Sequence, residues 1–152
     1  MDSNVRKKIL EYLAKHRVIA LSTSDTHNIL HSAAVYVYAK EPKEWYILSK
    51  QDTKKMRNLS EQPRFSAVVF DRHDSNSTLQ ARGIASKVED RDTIGETMTA
   101  MAKIYGTEND YLPPIAKIEA GQYVVVKLSV EWLRFAGYGG AKAGSEDIFV
   151  EL

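Results

Sequence analysis

Val5, Ile9, Tyr12, Leu13 and His16 recur at helical spacing, which predicts an amphipathic helix over residues 4 to 16 with one face against a sheet. The pattern then changes to β-like. Val18-Ile19-Ala20-Leu21-Ser22 is apolar on both faces, Asp25-Thr26-His27-Asn28 has turn chemistry, and Leu30 to Ala39 continues as one β-rich run. Glu41-Pro42-Lys43 breaks the chain before Trp45 to Ser49, so three consecutive strands in an antiparallel meander are expected. A short helix over Thr53 to Ser60 follows, and Pro63 then opens a strand from Phe65 to Phe70. Another strand is expected over Leu79 to Val88. Ile94, Met98, Met101, Ala102 and Tyr105 mark another helix, with Thr93 and Glu96 as its capping box and Gly106 as its stop. Pro113-Pro114 fixes a loop. A long strand from Tyr123 to Phe135, a glycine-rich stretch from Gly137 to Gly144 and a short strand at Ile148-Phe149-Val150 complete the pattern.

Six to seven mostly antiparallel strands with short connections and three helices suggest a mainly β fold, a closed or half-closed barrel with flanking helices. No internal repeat or linker composition divides residues 1 to 152, so a single domain is expected. A chain of 152 residues supports a substantial core. Its apolar runs fall far short of the roughly 20 residues that span a bilayer. The start of the chain lacks the apolar stretch of a secretory signal, and a cytoplasmic protein is expected. With no cysteine, thiolate metal sites, disulfides and cysteine nucleophiles are excluded. A net charge of +1 gives no bulk attraction to nucleic acid or membrane, and neither is expected as a partner. Any anion must therefore be bound locally.

Lys54, Lys55 and Arg57 crowd the first turn of the short helix, where the helix dipole disfavours cations. A phosphate would resolve that conflict. Thr53 is a natural N-cap, the first backbone amides of the helix lack intrahelical partners, and two lysines can close over an oxyanion. Charge alone leaves a solvated basic face as the alternative, so the flanking residues decide.

The order of those flanks is informative: a strand ending at Ser49, Thr53-Lys54-Lys55 opening a helix, Gln62-Pro63 opening a strand, and Gly83-Ile84-Ala85 on a later one. Over about residues 5 to 135 this resembles the pyridoxamine 5′-phosphate oxidase-like family of FMN-binding split barrels. The resemblance implies FMN as cofactor, its phosphate held by Thr53, Lys54 and Lys55. It implies that Ser32, Ala33, Ala34 and Val35 lie along the isoalloxazine ring, and that Leu48 and Ser49 approach the ribityl chain or ring edge. Small residues suit such a position, because a flat ring reaches backbone amides only where side chains are short. The family carries its flavin at a homodimer interface, with Trp132 and Tyr138 as the candidates contributed by the partner.

Two departures matter. The chain carries no basic residue after Lys142, whereas the oxidase has an arginine-bearing C-terminal substrate segment, so pyridoxamine phosphate is not the expected substrate. Lysine stands at the second position of the triplet where arginine is common, which keeps the charge and loses the bidentate fork. His16, His27, His31 and His73 are scattered, without metal-ligand spacing. Gly139 to Ser145 lacks the residue order of a phosphate loop. Arg82 reads as a barrel-mouth salt-bridge partner.

The expected activity is that of an FMN-dependent oxidoreductase acting with a small-molecule substrate or electron donor. No residue stands out as an obligatory acid or base. The alternatives are a non-catalytic flavin carrier or stress-response binding protein, and a haem-binding relative whose ligand would come from His31 or His73.

Overall fold

The computed structural model describes residues 1–71, 74–107, 122–137 and 148–152. Pro113-Pro114, His73, Tyr138 and most of the glycine-rich stretch lie outside them. Helix α1 (Ser3–Lys15) starts where Asp2 Oδ1 accepts from the backbone amides of Asn4 and Val5, and buries Ile9, Tyr12 and Leu13. The strands are β1 (Val18–Ser24), β2 (Leu30–Tyr36), β3 (Tyr38–Glu41), β4 (Glu44–Lys50), β5 (Arg64–Asp71), β6 (Asp74–Lys87), β7 (Tyr123–Gly137) and β8 (Ile148–Glu151). Helix α2 (Lys54–Glu61) joins β4 to β5, and α3 (Arg91–Thr107) follows β6.

All pairings are antiparallel, in the spatial order β2-β1-β5-β6-β7-β4-β3, with β8 added to β7. The sheet is curled into a half-barrel, the mainly β architecture expected. The run from Leu30 to Ala39 is not one strand, however. It breaks at Val37, whose side chain is buried and whose amide donates to the Arg17 carbonyl at 2.8 Å. The first half pairs with β1 and the second with β4. Instead of a flat meander, one extended run supplies both edges of the sheet, and the bend at Val37 brings those edges round toward each other.

The barrel interior is filled from β1, β4, β5, β6 and β7 by fully buried residues such as Ile19, Trp45, Ile47, Leu79 and Leu133, with α1 packed over it. Each large apolar side chain removed from water contributes about 1.5 to 3 kcal/mol. A second cluster lies beneath α3, where Met101 and Ile104 meet Tyr46, Leu48 and Val125. The cap of α3 is Asp90, whose carboxylate accepts from the Thr93 amide at 2.8 Å. Thr93 is therefore inside the helix, as is Gly106, and neither marks an end as the capping-box reading expected. Gly83 sits at a register shift between β6 and β7, where a Cβ would collide with the Ser129 carbonyl, so only glycine fits.

Candidate functional site

Ser49, the last buried residue of β4, and the α2 cap Thr53 place their hydroxyls 3.2 Å apart, each also within hydrogen-bond reach of the Lys50 carbonyl. Thr53 Oγ1 also accepts from the Met56 amide, which makes it the N-cap expected from sequence. The helix is held in place from below: buried Asn58 donates to the equally buried Thr23 hydroxyl of β1 at 3.0 Å. Sequence reasoning overlooked Asn58. Its signal was a poor helix former placed inside a short helix.

The three cations of this turn have different surroundings. Lys54 Nζ lies 3.6 Å from Asp25 Oδ2. Asp25 closes the turn after β1, where its other oxygen accepts from the His27 and Ile29 amides, and Asn28 takes the left-handed backbone conformation. The Ile29 amide most of all, with His27 and Lys54, holds this carboxyl below its ordinary range. Arg57 donates to the Asp52 carbonyl at 3.0 Å. Lys55 is half-buried and has neither an ion-pair nor a hydrogen-bond partner among the described residues, and desolvation lowers its ammonium pKa. An unaccompanied, partly dehydrated cation beside a capped helix start suits an anion.

Behind this corner, Gln62 reaches the Asp25 carbonyl at 3.4 Å, and the Pro63 carbonyl accepts from the Ala85 amide at 2.7 Å. The Gln62-Pro63 pair and the Gly83-Ile84-Ala85 element, far apart in sequence, are thus adjacent.

Along β2 the side chains alternate. Ala33 and Val35 point into the barrel, while Ser32 and Ala34 are exposed on the outward face. Registers extend that face across the sheet in two rows: Ser32, Ser22, Ser66, Arg82, Trp132, and Ala34, Ala20, Val68, Gln80, Arg134. Ser22 and Ser32 share a hydrogen bond of 2.8 Å. At the far end the Arg82 guanidinium lies 5.2 Å from the Trp132 ring centroid, and the Trp132 indole donates to Glu151 at 2.9 Å. The result is a shelf of short side chains ending in an aromatic wall, with a cavity of about 380 Å³ over Ala20, Ser22, Ser66, Arg82 and Trp132.

The structure therefore brings Ser49, Thr53, Lys54 and Lys55 together, and places Ser32, Ala34 and Trp132 on one face. Ala33 and Val35 belong to the core. Leu48 points away from Ser49, into the cluster beneath α3. Buried His31 Nδ1 has no hydrogen-bond partner, and His16 packs on the Tyr12 ring at 4.5 Å. Among the described residues no group of three or more metal-ligating side chains forms, and no helix is long and apolar enough to cross a membrane.

The family model described as pyridoxamine 5′-phosphate oxidase matches residues 5–137. Comparison with curated proteins gives no match. Among solved structures the chain is similar to Campylobacter jejuni ChuZ (20% identity, TM-score 0.73), covering 97% of this chain and 60% of that one. It is similar to a Listeria innocua protein described as a putative pyridoxamine 5′-phosphate oxidase, at 20% identity and TM-score 0.69, covering 86% and 97% of the two chains. It also resembles HutZ, described as the haem-storage protein of Vibrio cholerae, at 17% identity and TM-score 0.66, covering 82% and 89%. At these identities the likeness is one of fold.

Proposed function

Because the chain belongs to the pyridoxamine 5′-phosphate oxidase family, we propose that it binds FMN in a homodimer and acts as a flavin-dependent oxidoreductase on a small molecule. The observation that carries this reading is the α2 corner, where Lys55 is half-buried beside an N-capped helix without a counterion among the described residues. A phosphate there accepts from the first α2 amides and the Lys55 ammonium, while Thr53 and Ser49 keep the turn in shape. Lys54 contributes less charge, because Asp25 already engages it. The shelf of Ser32, Ala34, Ser22 and Ala20 suits a planar ring, since short side chains permit close approach to the backbone. A second copy seated on that face would exclude water from the ring and bring its own Trp132 and Arg82 near it. When bound, FMN supplies the hydride chemistry at its N5, and the protein orients and anchors it.

The test is an absorption spectrum of the purified protein followed by FMN titration of wild type and Lys55→Ala. Flavin bands and an affinity loss of roughly ten- to hundredfold in the variant are expected. A haem Soret band in place of flavin, or equal FMN affinity in both proteins, overturns the reading.

A further inference from the structure

We propose that the cavity beside Trp132 takes a small planar carboxylate and that Arg82 recognises it. The inference rests on the flavin reading and deepens it, naming the class of substrate that the outward face presents to the ring. At about 380 Å³ the cavity lies near the lower end of the roughly 300 to 1,000 Å³ typical of small-molecule sites. A single-ring molecule suits it.

Charge selects an anion. Arg6, Lys40, Lys54, Arg64 and Lys127 each have a carboxylate oxygen within 3.6 Å, whereas exposed Arg82 makes no ion pair or side-chain hydrogen bond among the described residues. It is not the salt-bridge partner expected from sequence. The acids on the strands beside it are engaged elsewhere, Glu131 by Arg64 at 3.5 Å and Glu151 by the Trp132 indole at 2.9 Å. None of the described residues lining the cavity carries a carboxylate, and Ser22, Ser66 and Gln80 add polar groups to its wall.

The same residues favour a carboxylate with a flat ring. The Arg82 guanidinium lies 5.2 Å from the Trp132 ring centroid, and contact with a ring leaves its forked N–H edge for an acceptor. That fork matches the two oxygens of a carboxylate. Arg82 is the one cation among the described lining residues, so a monoanion is neutralised there while the second charge of a phosphate would go unmet. The α2 corner, with three cations, has the opposite balance. Short side chains at Ala20, Ser22 and Ser66 keep the floor low, and Trp132, fixed by Glu151, stands as the wall against which a planar ring can lie.

The experiment titrates sodium benzoate into the full chain saturated with FMN, followed by calorimetry and by the flavin's visible band, with benzamide as the uncharged isostere. One benzoate per chain should bind saturably and shift the flavin band, with benzamide at least tenfold weaker. Arg82→Gln should weaken benzoate about tenfold or more and leave benzamide unchanged. Arg82→Lys, which keeps the charge and loses the fork, should fall between. Melting temperatures check that both variants fold. Absence of saturable benzoate binding, equal affinities for benzoate and benzamide, or wild-type affinity in folded Arg82→Gln overturns the site. Benzoate binding that leaves the flavin band unmoved overturns the substrate assignment. FMN uptake is measured first, so a chain that takes no FMN yet binds benzoate through Arg82 sinks the flavin reading and keeps the carboxylate site.

Discussion

Lys40 and Lys127 sit in a closed polar network on the α3 side of the barrel, whereas Lys55 at the start of α2 is half-buried and unaccompanied. In the network, Glu96 accepts from Lys40 at 2.8 Å and from the Tyr38 hydroxyl at 3.0 Å. Glu44 accepts from the Tyr46 hydroxyl at 2.6 Å and from Lys127 at 3.0 Å, and the two tyrosine rings stack 6.1 Å apart. The two Glu96 bonds tie α3 to β3, and the Lys127 bond to Glu44 ties β7 to β4. The α2 corner also gathers lysines and hydroxyls but leaves one cation, Lys55, without a partner among the described residues. A saturated network is what a structural contact needs, and an unsaturated one at a helix start is what an incoming anion needs.

The largest expected effect separates the two corners by ligand. Lys55→Met should weaken FMN binding by about 1.5 to 3 kcal/mol, yet raise the melting temperature of the flavin-free protein, because a desolvated charge is removed. Paired FMN titration and thermal melts check both halves, and a fall in melting temperature would show that Lys55 is a structural partner after all.

The next effect concerns the shelf. Ala33→Leu should overpack the barrel at a cost of about 1 to 3 kcal/mol, while Ala34→Leu, on the exposed face, should keep the stability and lose flavin and dimer. Denaturant midpoints and light scattering compare the pair, and matching behaviour would contradict the alternation that places them.

Titration distinguishes the corners in opposite senses. Hydrogen bonds from Tyr46 and Lys127 lower the Glu44 pKa, and those from Lys40 and Tyr38 lower that of Glu96, so the stability they contribute is present above the ordinary value of 4.5 and is lost as pH falls through the folded values. Burial and Glu44 raise the Tyr46 pKa, so its contribution is present below the ordinary value of 10.0 and is lost at higher pH. In the alkaline range Lys55 runs opposite to Tyr46: its lowered pKa means that the flavin-free protein gains stability as pH rises toward the ordinary lysine value of 10.5, while FMN binding weakens. Melting temperatures and FMN affinities measured across pH should show these opposing trends, and parallel trends would break the comparison.

The smallest effect is Tyr46→Phe, which removes one bond to Glu44 at about 0.5 to 1.5 kcal/mol and should leave FMN affinity untouched. Chemical denaturation alongside flavin titration is sufficient to see it.

Local chemistry was legible in the sequence, and long-range pairing was not. Thr53 announced itself as an N-cap because capping depends on its own first turn, and α1 was found within a residue of each end because its apolar spacing is regular. The pairing of Lys54 with Asp25 was hidden, since it depends on how β1 and α2 meet across the fold. Asp90 was passed over for Thr93 because both are good capping residues near the start of one periodic run. The resemblance singled out Ser32, Ala34 and Trp132, but not their alignment: Ser32, Ser22, Ser66, Arg82 and Trp132 come from five strands and align only through four registers.

The bend at Val37 has a consequence for how the chain reaches its native state. The hairpins β1–β2 and β3–β4 are local in sequence and meet head to tail at that residue, so each closes at a small entropic cost. Joining them through β5, β6 and β7 requires contacts spanning most of the chain, which is the slow part of assembly in high-contact-order folds. Folding should therefore begin at the two hairpins and be limited by docking of β7. Truncations at Val35 would then slow folding, whereas those at Val130 would mainly speed unfolding. Measured folding and unfolding rates showing the reverse assignment would place the nucleus in the long strands instead.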